Sequence, residues 1–252
     1  MYSWPAAPSS ARRTTKRPST PSASRPRSKT QRLRPDPIME RIDLSTWKRR
    51  PHYEFFKGFE RPFFDVAARV DVSPLVALTQ RSDLRLFATL LHTVCVAANA
   101  TDALRLRLDD EGVVRVAQIT PSFTVMSDRG TFNYATAPYV DDVAEFSRTL
   151  QEHADRSRNL PELFLGDDDR LDLVYITSMP WLDFQSISHA FSGQPLDSAP
   201  RIAWGKVVEA EPGRHEATFQ LTAHHALADG RDVAIFFEKL RERIDALAGH
   251  AG

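Results

Sequence analysis

The residues best suited to chemistry stand near the C-terminal end of the chain, in the run His224-His225-Ala226-Leu227-Ala228-Asp229-Gly230. Imidazole is the side chain best matched to proton transfer near neutral pH. The stretch before it, 217–223, alternates with Phe219, Leu221 and Ala223 on one face and reads as a strand. A residue at the end of a strand, ahead of a glycine-bearing turn, can be both rigidly held and open to a cleft. Successive strand residues face opposite sides, so His224 and His225 cannot both serve one site. His225 is the candidate base and His224 a structural residue facing the other way. Asp229 can fix the geometry of the turn, and Gly230 is expected to take a backbone conformation closed to other residues. No metal centre is expected here, because adjacent histidines diverge and no further ligands cluster with them. His52, His92 and His153 carry no such context and read as packing or surface residues.

Several elements must hold this turn in place. A helix is expected over 45–56 with Ser45 as its N-cap, then a strand over 64–72 with Val66, Ala68, Val70 and Val72 on one face. Phe87, Leu90, Leu91 and Val94 predict a buried helix over 84–98. Strands follow at 113–118, 122–126 and 132–137. A helix over 141–156 has acidic residues in its first turn. Strands are expected at 172–177 and 202–210. A last helix over 231–248 buries Val233, Phe236, Phe237, Leu240 and Ile244. Strands and helices mix without regular alternation, which predicts an α+β fold, a two-layer, sandwich-like mixed sheet covered by helices.

Composition narrows the class. The 252 residues, 42% hydrophobic and 26% charged, suffice for one sizeable domain. One cysteine, Cys95, excludes an internal disulfide framework and argues for a reducing compartment, the cytoplasm. No apolar run of about 18 residues exists, so no membrane helix is expected. The net charge of zero hides a split. Residues 1–38 hold nine Lys and Arg and one acid, Asp36, which leaves 24 basic and 32 acidic residues in 39–252. The tail is also rich in Ser, Thr and Pro, and is expected to be a disordered extension before a single domain at 39–252. A nucleic-acid or membrane-touching arm and a targeting peptide are the competing readings. A plain extension is favoured, because Met39 stands at the first globular-looking residue.

The HHxxxDG run resembles the signature of the chloramphenicol acetyltransferases, the dihydrolipoyl acyltransferase cores and the peptide-synthetase condensation domains. Three further segments resemble the first of these families. They are Trp47-Lys48-Arg49-Arg50-Pro51-His52-Tyr53-Glu54-Phe55-Phe56, Pro121-Ser122-Phe123-Thr124-Val125 and Thr177-Ser178-Met179-Pro180-Trp181-Leu182-Asp183-Phe184. The resemblance implies the chloramphenicol acetyltransferase fold and direct acetyl transfer from acetyl-CoA to a small hydroxyl-bearing acceptor. His225 would be the general base, and no acyl-enzyme would form. Thr177, or failing it Ser178, would supply the hydroxyl that stabilises the oxyanion. Asp229 would be a buried acid paired with Arg49, bracing the turn, and removing one partner of such a pair costs roughly 3–5 kcal/mol. Acetyl-CoA would be a co-substrate held near Lys206, Arg85 and Phe87, with no permanently bound cofactor. Arg85 keeps a lysine's charge but not its geometry.

The acceptor pocket departs from the family pattern. Phe56 stands for a Tyr, Ala203 for a Thr, and Glu60, Pro62, Ile187 and His189 for apolar positions. A pocket built to hydrogen-bond one acceptor discriminates strongly against another, so a different hydroxyl or amine compound is the alternative acceptor to chloramphenicol. The resemblance also implies a homotrimer with active sites between subunits. A non-catalytic binding or assembly protein on the same fold is the alternative if Thr177 cannot serve the oxyanion. A nucleic-acid-binding function would depend on the tail.

Overall fold

Strand β10 (Arg214–His224) is the axis of the molecule. In the computed structural model, which describes residues 39–161, 163, 170–191 and 196–249, it pairs antiparallel with β2 (Phe63–Asp71) from Glu216 opposite Asp71 to His224 opposite Phe63. Its other side pairs antiparallel with β8 (Arg201–Trp204). Parallel pairing continues through β7 (Leu173–Ser178) to β5 (Thr120–Met126), and β5 closes antiparallel on β6 (Phe132–Thr136). A short β9 (Val208–Glu211) pairs with the start of β10. The basic segment 1–38 lies outside the described residues.

Period-two patterning decides which way this sheet faces. Ala217, Phe219, Leu221 and Ala223 of β10 bury against one layer of helices, as do Val70, Ile176, Ile202 and Trp204 of its neighbours. That layer comprises α2 (Ser73–Gln80), α3 (Leu86–Asn99), α4 (Val143–Arg158) and α5 (Gly230–Gly249). The alternate residues, Thr218, Gln220 and Thr222, face the other side and are also buried. A three-stranded sheet, β1 (Met39–Arg41), β4 (Gly112–Val116) and β3 (Leu106–Asp109), forms a second core with α1 (Arg50–Phe56). Ala226 and Leu227 of the HHxxxDG turn are buried in that second core. The architecture is the α+β, two-layer arrangement expected. Among the described residues no helix is long and apolar enough to cross a membrane.

Local differences from the sequence expectations have physical causes. The first helix begins at Arg50, where Pro51 pre-sets the first turn, and Ser45 caps nothing; the Asp43 carboxylate accepts from the Ser45 backbone N–H (2.8 Å) and Oγ (2.7 Å) instead. Helix α2, not among the expected elements, starts at Ser73-Pro74, where the fixed φ of proline suits the first helical turn. The strand expected over 202–210 is broken at Gly205. A Cβ there would stand 2.9 Å from the Leu182 carbonyl oxygen and 3.2 Å from the Phe184 ring. The close approach lets Lys206 N–H reach the Leu182 carbonyl at 2.9 Å.

Gly205→Ala is therefore expected to push the 181–184 segment away and cost about 1–3 kcal/mol, the usual range for overpacking. A chemical-denaturation midpoint unchanged from wild type would contradict it.

Candidate active site

The HHxxxDG turn is built from three directions. Arg49, just before α1, reaches it with its whole guanidinium: Nη1 binds Asp229 Oδ2 at 2.6 Å, Nη2 the His225 carbonyl at 3.1 Å, and Nε the Ala226 carbonyl at 3.3 Å. Asp229 also accepts from Arg231 N–H (2.9 Å), and its own N–H donates to Asp232 (2.8 Å). The Arg49 hydrogen bond, working against partial burial, holds the Asp229 carboxyl below the usual carboxylate range. Asp229 is not the buried acid expected: its side chain is 39% exposed, against 16% for Arg49. The expected 3–5 kcal/mol cost, which belongs to fully buried pairs, is therefore too large here. Gly230 also departs from expectation. It begins α5 without a positive φ, and a Cβ there would meet nothing within 4 Å.

The two histidines are fixed in opposite tautomers by backbone groups that can only donate or only accept. His224 Nδ1 receives the Ala226 N–H at 3.2 Å, so its proton must sit on Nε2. His225 Nδ1 faces the Ala228 carbonyl at 3.1 Å and must carry a proton there, so in the neutral ring Nε2 is the acceptor atom, and it has no hydrogen-bond partner among the described residues. The His225 ring stacks on Phe56 (4.2 Å between centroids, 12° between planes) and leans on Phe64 at 4.6 Å. His225 N–H is also tied to the Pro62 carbonyl at 2.7 Å. His224 meets the edge of Phe63 instead. Burial is the main cause that pushes the His224 pKa down to about 4, Asp197 opposing it and His225 reinforcing it.

A second group of candidates lies on the sheet face turned away from the helices. Thr177, Ala203 and Gln220 form one row across β7, β8 and β10. At the Gln220 end of this row runs an irregular segment, 182–191. The amide of Gln220 binds both backbone groups of Ile187, Oε1 accepting its N–H at 2.7 Å and Nε2 donating to its carbonyl. His189 follows; burial first, then Arg201, lowers its pKa, and its Nε2 has no partner among the described residues. Thr177 is level with Gln220, five residues before His225 and two strands away. Strand rise and spacing put the two roughly 20 Å apart within one chain.

The third group lies on the helix side. A cavity of about 280 Å³ is lined by Arg85, Phe87, Ser178, Trp181, Gln151 and Arg158 among others. Arg85 holds Gln151 at 2.6 Å, and Phe87 packs 5.7 Å from Trp204. Lys206 is exposed two residues beyond Trp204. Ser178 lines this cavity, so Thr177 and Ser178, neighbours in sequence, serve opposite faces. Sequence reasoning passed over Gln220, Gln151 and Arg158. For Gln220 the signal was available, since an amide in the middle of an apolar strand must find partners.

Residues 38–241 match the family model described as chloramphenicol acetyltransferase, and the chain belongs to that family. Chloramphenicol acetyltransferase 3 of Escherichia coli is 25% identical over 203 residues, 80% of this chain and 95% of the relative. A solved chloramphenicol acetyltransferase superposes with a TM-score of 0.76 at 22% identity, covering 82% of this chain and all of the other. The cubic core of a pyruvate dehydrogenase multienzyme complex shares the fold more distantly, with a TM-score of 0.58 at 16% identity, 73% of this chain and 81% of that one.

Two outcomes follow from the turn. Arg49→Lys keeps the charge but cannot make the three contacts at once, and should lower stability by about 1–3 kcal/mol in urea unfolding. His224 is neutral in the fold but takes up a proton near pH 6.5 when unfolded, so the stability it secures is complete above about pH 6.5 and is lost as pH falls toward 4. Between pH 7 and 5 the wild type should lose about 2 kcal/mol more than His224→Asn, whose amide oxygen can still accept the Ala226 N–H. Parallel pH curves for the two proteins would contradict this.

Proposed function

We propose that this member of the chloramphenicol acetyltransferase family transfers an acetyl group directly from acetyl-CoA to the hydroxyl of a small, chloramphenicol-like acceptor. The observation that carries the proposal is the state of His225: Nδ1–H spent on the Ala228 carbonyl, Nε2 free, ring pressed between Phe56 and Phe64, backbone clamped by Arg49. In this reading Nε2 takes the acceptor's hydroxyl proton as the oxygen attacks the thioester carbonyl. A C–O bond forms and the carbonyl oxygen becomes an oxyanion, which the Thr177 hydroxyl meets as donor. Collapse breaks the C–S bond, and the CoA sulfur leaves with the proton from Nε2.

A separation of roughly 20 Å between Thr177 and His225 cannot serve one tetrahedral intermediate within a chain. That supports an active site shared between subunits of a homotrimer, His225 from one and the Thr177 row from another. The cavity with Arg85, Phe87 and Trp181 is the proposed place for the acyl-CoA, with Lys206 toward its phosphates. Phe56, Ile187, His189 and Ala203 line the acceptor side. Acylation of such a hydroxyl would confer resistance to an antibiotic that needs it.

Free-thiol release from acetyl-CoA, screened over chloramphenicol and other hydroxyl or amine acceptors, tests the reading. His225→Ala should lower acceptor-dependent release about 10²–10⁴-fold, the contribution of a positioned general base. Release that survives the substitution would overturn it.

A further inference from the structure

The segment 182–191 crosses the sheet face opposite the helices without helix or strand, so its backbone groups need partners from elsewhere. Three anchors hold it. Asp183 pairs with Arg69 at 3.0 Å, an ion pair in which both side chains are more than a third exposed. At the far end Phe191 stacks on Phe63 at 4.3 Å, and the Arg201 guanidinium lies 4.3 Å from the Phe191 ring, itself held by Asp197 at 2.6 Å. Between them stands Gln220, fully buried, with both polar atoms of its amide hydrogen-bonded. Its Oε1 and Nε2 take the N–H and carbonyl of Ile187, and Nε2 also reaches Asp65 Oδ1 at 3.1 Å. Asp65 accepts from Thr222 Oγ1 as well, which fixes the carboxylate and hence the orientation of the amide.

The middle anchor differs from the others in kind. A backbone N–H can only donate and a carboxylate only accept, so the Gln220 amide fits in one orientation. Its place in the row Thr177–Ala203–Gln220 sets the height and register of Ile187, and with it His189, relative to the proposed oxyanion donor. We infer that Gln220 is a positioning residue that determines acceptor specificity: through the backbone of Ile187 it fixes how the acceptor-facing segment lies over the Thr177 row. This rests on the acyltransferase reading, and touches neither the acyl-CoA cavity nor His225.

Two variants and two measurements test it. Gln220→Leu keeps the volume and removes both backbone bonds. Asp65→Ala, at an exposed residue, leaves both Ile187 bonds available and removes the carboxylate that orients the amide and accepts from Thr222 Oγ1. Hydrogen–deuterium exchange over 183–191 should speed up in both, more so in Gln220→Leu. In thiol-release kinetics Gln220→Leu should raise the acceptor KM about tenfold or more and change the ranking of acceptors, as small misplacements of a positioned substrate do. The acetyl-CoA KM, and kcat at saturating acceptor, should stay within about twofold, a split that general destabilisation would not give. Asp65→Ala should shift the acceptor KM in the same direction by about fivefold, the worth of one hydrogen bond, and so carries the test if Gln220→Leu does not fold. An unchanged acceptor ranking, or equal rises in both KM values, would overturn the specificity role. Unchanged exchange in both variants would overturn the clamp itself. A wild-type protein without turnover would overturn the acyltransferase reading and the acceptor role together, while the exchange result would still decide the clamp.

Discussion

Everything at the HHxxxDG turn depends on one guanidinium. A turn between a strand and a helix has carbonyls with no ladder partner, and a base mounted on it is only as well placed as those carbonyls. Arg49 meets two of them and one carboxylate at once. No lysine could do this, since a single ammonium cannot reach three groups spread along the turn. The exposure of Asp229 gives the carboxylate a modest share of the energy. The two carbonyl contacts, closer to His225, define its position. Arg49 in turn is carried by α1 and the second core, whose apolar residues include Ala226 and Leu227 of the same turn. The turn that carries His225 and its brace are thus joined by packing as well as by hydrogen bonds.

The second constraint is register. Because β10 is paired on both sides, sliding it by one residue would turn Phe219 and Leu221 out of the helix-side core and Gln220 into it. The same pairing that keeps the core apolar therefore keeps Gln220, Ala203 and Thr177 in one row and His225 five positions beyond it. Stability and the spacing of functional groups are set by one strand. On the proposed reading, a chain that separates its candidate proton acceptor and its candidate oxyanion donor in this way needs a second copy to complete the site, whatever stability its core provides.

Much of this was legible in the sequence. Strands 2, 5, 6, 7 and 10 and helices 3, 4 and 5 followed from period, because each has one strongly apolar face. The turn residues, Arg49 and Phe56 emerged as one cluster, and Arg85 and Phe87 as part of one cavity. Other features were not legible, for reasons of geometry. Gly205 breaks a strand that composition would continue, and its reason, the Leu182 carbonyl, lies 23 positions away in sequence. The exposure of Asp229 depends on what covers the turn, which no motif states. Ser178 looked interchangeable with Thr177 until strand alternation sent it into the cavity on the opposite face.

That alternation also bears on how the two proposed substrates are kept apart. The cavity proposed for acyl-CoA and the segment proposed for the acceptor lie on opposite faces of the sheet, and β7 ends between them at Thr177 and Ser178. A thioester approaching from the helix side can present its carbonyl to the other face only around that strand end. Trp204, the last residue of β8, and Gly205 after it border the same end. Trp181 stands just beyond it, lining the cavity while 66% of its surface is exposed. In such an arrangement the sheet itself is the partition, and the residues after β7 form the passage. The segment that begins there then turns back as the strap anchored by Gln220, so one stretch of chain borders both proposed substrate regions. The close approach at Gly205 fixes where that stretch departs, and Gln220 fixes where it lies.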